Sequence, residues 1–192
     1  MKQCRRCLLP ANVPGADLDE VGVCAFCRAY TPQARARDET LRRAREADLE
    51  AAIGAARGQG PYDCLVCLSG GKDSLYLLYR LKVEYGLRLL AFTTDVNIPS
   101  LAWKNIRRTL SRLDVDHLVY RPPAGFYRKL FRYLLMNQEE RGAVYTVSYV
   151  YAPLFEGDAL AVATEKGIPL VMAGYSPGQP EPERMEYEFS RA

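Results

Sequence analysis

YDCLVCLSGGKDSLYLLYRL, residues 62–81, is the stretch that decides the fold. Residues 62–68 form a short apolar run suited to a buried strand, and the run leads directly into SGGKDS at 69–74. A helical repeat follows, with Leu75, Leu78, Leu81 and Tyr85 on one face. Gly86 supplies the C-cap. The unit is therefore strand, loop, helix. Outward from it the pattern repeats: LRLLAFTT (87–94) reads as strand, 99–113 as helix, DHLVY (116–120) as strand and FYRKLFRYLLM (126–136) as amphipathic helix. A helix over about 154–166 precedes IPLVMAG (168–174), the last strand. Strands alternating with helices predict an α/β domain, a parallel-sheet Rossmann-like fold covered on both faces.

The loop has its own chemistry. Gly70 and Gly71 permit a tight turn and close backbone approach. The helix that follows presents free N–H groups and a dipole that favour an anion. Ser69 and Ser74 add hydroxyls, Lys72 adds a mobile positive charge, and Asp73 can hold Mg²⁺ or orient the helix start. This combination predicts a polyphosphate cradle. It is not a Walker A loop, which needs Ser or Thr directly after the Lys and a Gly five residues before Gly71; this chain has Asp73 and Val66 there.

All six cysteines precede residue 68. Cys4, Cys7, Cys24 and Cys27 read C-x2-C-x16-C-x2-C, the spacing of two rubredoxin-like knuckles sharing one tetrahedral ion. Turn-forming residues and a short hairpin are expected between them. Residues 1–32 hold too little apolar sequence for a core, so a metal would supply much of their folding energy. Four thiolates leave no open coordination position, so the expected metal is a structural Zn²⁺, with iron as the competitor. Cys64 and Cys67 lie three apart on a strand and should point to opposite faces, which suits packing better than a working dithiol. Residues 33–60 read as a helical linker rich in Ala, Arg, Glu and Leu, with Asp38 as its N-cap and GQGP (58–61) as its terminator.

Composition narrows the function classes. The chain has 192 residues, 48% hydrophobic and 26% charged, which excludes disordered and fibrous classes. No uncharged apolar run is long enough for a spanning helix, so no membrane partner is expected. MKQCRRCLLP has no apolar stretch behind its charges and reads against a secretory signal, so a cytoplasmic location is expected. The formal charge of +3 demands no nucleic acid. It is unevenly spread, basic over 104–132 and acidic over 139–191, a pattern that can attract phosphate-bearing ligands or simply reflect solvated helix faces.

SGGKDS after an apolar strand resembles the PP-loop of the ATP pyrophosphatases, a superfamily with the adenine-nucleotide α-hydrolase fold. The resemblance implies that residues 61–192 are a PP-loop domain using ATP and Mg²⁺. Ser69, Gly70, Gly71, Lys72, Asp73 and Ser74 would hold the phosphates, with Lys72 and Asp73 catalytic. Thr93, Thr94 and Asp95 would line the adenosine pocket, and Gly174 would end the strand beside it. The order CRRCLLP, DEVGVCAFC, helix, YDCLVCLSGGKDS is similar to the N-acetyl sugar amidotransferases of surface-polysaccharide pathways. That likeness implies adenylylation of an amide oxygen and displacement of AMP by ammonia. It further implies a small-molecule acceptor, such as a nucleotide-linked N-acetyl sugar, and a separate glutaminase as ammonia source. Such enzymes continue past the last strand into a substrate-binding portion. The alternatives are sulfur insertion, as in tRNA thiolation by PP-loop enzymes with metal knuckles, and a non-catalytic ATP-binding adaptor. The oligomeric state is not legible.

Gly174-Tyr175-Ser176-Pro177-Gly178 matches the nucleophile-elbow pattern G-x-S-x-G. Pro177 has no N–H for the oxyanion, and the single histidine, His117, precedes the Ser, so a serine hydrolase is rejected. His117 reads as a strand residue rather than a base.

Overall fold

The computed structural model describes residues 2–137 and 143–174. The chain divides into two compact units, Met1–Ala52 and Ile53–Ala192.

The first unit winds around Cys4, Ala16 and Cys24, all fully buried, with Leu9, Val13, Leu18 and Val23 packed against them. Its turns close through backbone bonds such as Gly22 N–H to the Asp19 carbonyl (2.9 Å) and Asp19 N–H to the Val23 carbonyl (3.0 Å). The expected hairpin forms no strand ladder there, because Asp17, Gly15 and Gly22 all take positive φ and turn the chain repeatedly. Helix α1 (Ala25–Ala29) begins at the second cysteine pair, and α2 (Pro32–Ala56) follows. The predicted cap at Asp38 is corrected. Pro32 takes the first helical position, Thr31 Oγ1 accepts from Ala34 N–H at 3.2 Å, and Asp38 lies inside the helix. Gly58, at φ +78, follows the helix end.

The second unit is an α/β domain with strands β1 (Cys64–Cys67), β2 (Leu89–Thr94), β3 (Asp116–Tyr120) and β4 (Val171–Met172). All are parallel, in the order β3-β2-β1-β4. Helix α3 (Lys72–Tyr79) continues as a π-helical turn over Arg80–Glu84, and Gly86 (φ +63) ends it as expected. Helices α4 (Ser100–Leu113), α5 (Ala124–Met136) and α6 (Ala143–Glu165) complete the domain. The helix expected from about residue 154 starts at Ala143 instead. Its sequence carries no charge before Glu156, and Thr146 and Ser148 interrupt the apolar residues, so periodicity did not mark its start.

Strand alternation builds two cores. Cys64, Val66, Leu89 and Ala91 face Leu78, Leu81, Ile106 and Leu110, while Leu65, Leu90 and Phe92 face Ala159, Ala163 and Ile168. Both sheet faces are thus covered, as a parallel sheet requires. Among the described residues no helix is long and apolar enough to cross a membrane.

Asp63 ties the entry of β1 to that of β2. It is 2% exposed. Its carboxylate accepts from Gly58 N–H (2.8 Å), Arg88 N–H (2.8 Å) and the Arg88 guanidinium (2.6 Å). The Arg88 bonds hold its pKa well below the usual carboxylate range. A depressed folded-state pKa stabilises the fold above the unfolded value, near pH 4, and that contribution fades as pH falls below it. Asp63→Ala should therefore lower stability at pH 7 by about 2–3 kcal/mol, with two backbone donors left unpaired. The deficit should shrink in urea titrations below about pH 4, where the unfolded parent takes up a proton that the folded carboxylate still refuses.

Candidate phosphate-binding loop and metal cluster

Residues 68–71 carry the chain from the end of β1 to the start of α3. Gly70 takes φ +78, and a Cβ built there would meet the Ala102 carbonyl oxygen of α4 at 2.7 Å. Only glycine fits both demands. Gly71 is the N-cap of α3 and offers the helix no side-chain acceptor. Ser74 folds back on the turn: its Oγ lies 3.1 Å from Ser69 Oγ, accepts from Ser69 N–H at 3.3 Å and donates to the Gly71 carbonyl at 3.2 Å. Ser69 Oγ accepts from Gly71 N–H at 3.4 Å. Lys72 is largely exposed and its Nζ donates to Asp73 Oδ1 at 2.7 Å.

The chain runs from β1 to β2 to β3 on one side and returns through β4 on the other, so the sheet switches direction between β1 and β4. Ligands of open α/β sheets bind outside the strand ends at such a point. The loop lies there, and so does Gly174, whose built Cβ would sit 3.2 Å from the Asp73 backbone and 3.3 Å from Ser74 N. The structure thus brings Ser69–Ser74 and Gly174 together.

Thr93 and Thr94 end β2, Asp95 follows directly, and all three are buried. Their polar groups have partners within the protein. Thr93 Oγ1 donates to the Leu68 carbonyl at 2.7 Å and lies 2.8 Å from His117 Nε2. Thr94 Oγ1 faces Asp158 Oδ2 at 3.5 Å. Asp95 accepts from Asn97 and Ile98 N–H (3.1 and 3.2 Å) and from the Arg121 guanidinium, whose Nε lies at 2.9 Å. Burial opposes the Asp95 charge, but Arg121 and these N–H groups outweigh it and hold its pKa below the usual range. Arg121, Asp158 and the contact made by His117 were not read from the sequence. None has a local motif, because each meets a partner far away in the chain, Asp158 from helix α6 and the others from β3 or the residue after it. Burial raises the Asp158 pKa and lowers that of His117.

In the first unit the Sγ atoms of Cys4, Cys7, Cys24 and Cys27 all lie within 4.8 Å of one another. Cys4 and Cys27 are 3.9 Å apart, and Cys7 and Cys24 3.6 Å. A tetrahedron with metal–sulfur bonds of about 2.3 Å needs sulfur spacings of about 3.8 Å, so the four thiols fit one ion. Backbone N–H groups of Arg6 and Cys24 point at Cys4 Sγ (both 3.3 Å), and that of Cys27 at Cys24 Sγ (3.4 Å). Burial raises the Cys4 pKa, but the backbone N–H groups of Cys24, Cys7 and Arg6 bring it down to about 6, whereas the neighbouring sulfurs, Cys7 first, and burial push the Cys27 thiol up to about 12. Cys64 and Cys67 differ. They face opposite cores, as their spacing predicted, and burial pushes both thiols up to about 12. Neither is poised as a nucleophile.

No protein-family model matches this chain. A probable sulfurtransferase of Methanocaldococcus jannaschii is 42% identical over 66 residues, covering 29% of this chain and 20% of the relative. The match therefore spans about a fifth of that relative's length. NMN synthetase from Francisella tularensis aligns with a TM-score of 0.43 and 17% identity, over 62% of this chain and 50% of that structure.

Two measurements check this geometry. Protein purified without chelator should carry close to one equivalent of zinc or iron, and Cys24→Ser should leave less than half an equivalent. Gly70→Ala should destabilise the chain by about 1–3 kcal/mol, since φ is positive and the added methyl meets a backbone oxygen. Thermal unfolding at matched metal content measures that loss.

Proposed function

We propose that the chain uses ATP in the PP-loop manner, activating an amide or carbonyl oxygen by adenylylation and then transferring nitrogen, as N-acetyl sugar amidotransferases do. The observation that carries the reading is SGGKDS folded as a glycine turn at the switch point of a parallel sheet, backed by Gly174. The donors present there suit a polyphosphate: the start of α3, the hydroxyls of Ser69 and Ser74, and the mobile ammonium of Lys72. Asp73, beside Lys72, is suited to a Mg²⁺ ion. In the proposed reaction the acceptor oxygen attacks the α-phosphorus of ATP and pyrophosphate leaves. Ammonia then displaces AMP from the activated carbon and loses a proton. Lys72 would neutralise charge gathering on the departing pyrophosphate. Thr93, Thr94 and Asp95 frame the adenosine side by closing the end of β2. The four cysteines of the first unit would hold a structural metal. The acceptor in this reading is a small molecule such as a nucleotide-linked N-acetyl sugar, with ammonia supplied by a separate glutaminase.

A second reading is sulfur insertion, as in tRNA thiolation; the 66-residue match to a probable sulfurtransferase is the observation that keeps it in view. Against it, the cysteines nearest the loop, Cys64 and Cys67, face opposite cores and are held protonated. A sulfur carrier would then come from outside these residues.

Turnover with acceptor should yield AMP and pyrophosphate; ADP as product would sink the proposal. Lys72→Ala should slow adenylate formation about 100- to 1,000-fold in single-turnover experiments, the usual worth of one donor to transition-state charge. Its affinity for ATP should fall much less. Asp73→Asn should raise the Mg²⁺ concentration needed for half-maximal rate, since an amide is the poorer ligand for a hard cation. Parallel assays with labelled ammonia and with a persulfide donor separate the nitrogen reading from the sulfur one.

A further inference from the structure

His117, the single histidine of the chain, stands on β3 beside Ala91 of β2 and is half-buried. Its Nε2 lies 2.8 Å from Thr93 Oγ1, which in turn lies 2.7 Å from the Leu68 carbonyl oxygen. A carbonyl can only accept, so the one hydroxyl hydrogen of Thr93 goes to Leu68. The Thr93 oxygen must then accept from His117, and Nε2 must carry a hydrogen. The bonds run in one direction, His117 to Thr93 to Leu68, across three neighbouring strands. Leu68 is the residue directly before Ser69, and its own N–H donates to the Phe92 carbonyl at 2.8 Å. Both of its peptide groups are thereby tied to β2.

Helix α4 braces the same point. The Trp103 ring lies 6.2 Å from the His117 ring, tilted by 53°. The adjacent residue, Ala102, presents the carbonyl that packs against Gly70. Consecutive residues of one helix thus touch the histidine and the loop. Thr93 and Leu68 are 2% and 3% exposed, so water would not easily replace a lost donor.

We propose that His117 is a positioning residue for the phosphate loop: acting through Thr93, it holds the Leu68 carbonyl and so the start of the Ser69–Ser74 turn in the geometry that receives a polyphosphate. This inference rests on the nucleotide reading given above. A neutral imidazole with hydrogen on Nε2 satisfies the role, and burial favours the neutral form.

The single histidine makes a direct test practical. Nitrogen-15 spectra of the full chain at neutral pH should show hydrogen on Nε2 and none on Nδ1, and adding Mg·ATP should shift the signal. Calorimetry should show His117→Leu binding Mg·ATP about 3- to 10-fold more weakly than the parent, the effect of one lost hydrogen bond. His117→Gln, whose amide N–H can reach the same oxygen, should restore affinity to within about twofold. Failure of the parent to bind Mg·ATP overturns the nucleotide reading and this inference with it. If the parent binds, this inference alone falls on any of three results: His117→Leu binding equally well, His117→Gln failing to rescue, or Nε2 without hydrogen. Should His117→Leu not fold, the spectra decide.

Discussion

A methyl group at Gly70 would stand 2.7 Å from the Ala102 carbonyl oxygen, and one at Gly174 would stand 3.2 Å from the backbone of Asp73. These two close approaches constrain the end of β1 from both sides. Gly70 lets α4 come against the turn; Gly174 lets the segment after β4 come against the first turn of α3. A side chain at either position would push a helix or a strand away from the loop. The donors of 69–74 converge because the surrounding backbone comes so near.

That convergence is held in register by side chains that span strands. At one end of the sheet Asp63 joins the entries of β1 and β2 through Arg88, and at the other Asp95 joins the exits of β2 and β3 through Arg121. Each buried carboxylate also accepts backbone N–H groups, which add to its guanidinium partner in holding the charge. Thr93 and His117 add a third tie at the exit end. Hydrophobic packing stabilises the sheet as a whole, with Leu65 and Val66 of one strand feeding opposite cores. It cannot choose the position of a single carbonyl. The directional bonds do that.

The first unit stands on different physics. Its buried cluster is two cysteines and an alanine, too small to offset the chain entropy of its turns. Sulfur atoms 3.6–3.9 Å apart, with backbone N–H groups aimed at them, are arranged for a cation. Bound metal would then be part of the folding energy of this unit.

The sequence by itself determined the α/β class, the strand–loop–helix at 62–81 and the pairing of four cysteines. Each of these depends on neighbours in the chain: apolar period, turn residues and ligand spacing. The opposed faces of Cys64 and Cys67 followed from strand geometry alone. The sequence did not place the start of α6, since the uncharged stretch before Glu156 shows no helical period, and it put the cap of α2 at Asp38 rather than Thr31. It also could not assign Thr93, Asp95 and His117 their partners. Those partners, Leu68, Arg121 and Thr93 in turn, lie 24 to 26 residues away. Only the register of β2 against β1 and β3 brings them within hydrogen-bond reach, and that register is a property of the packed sheet, set when both of its faces are buried at once.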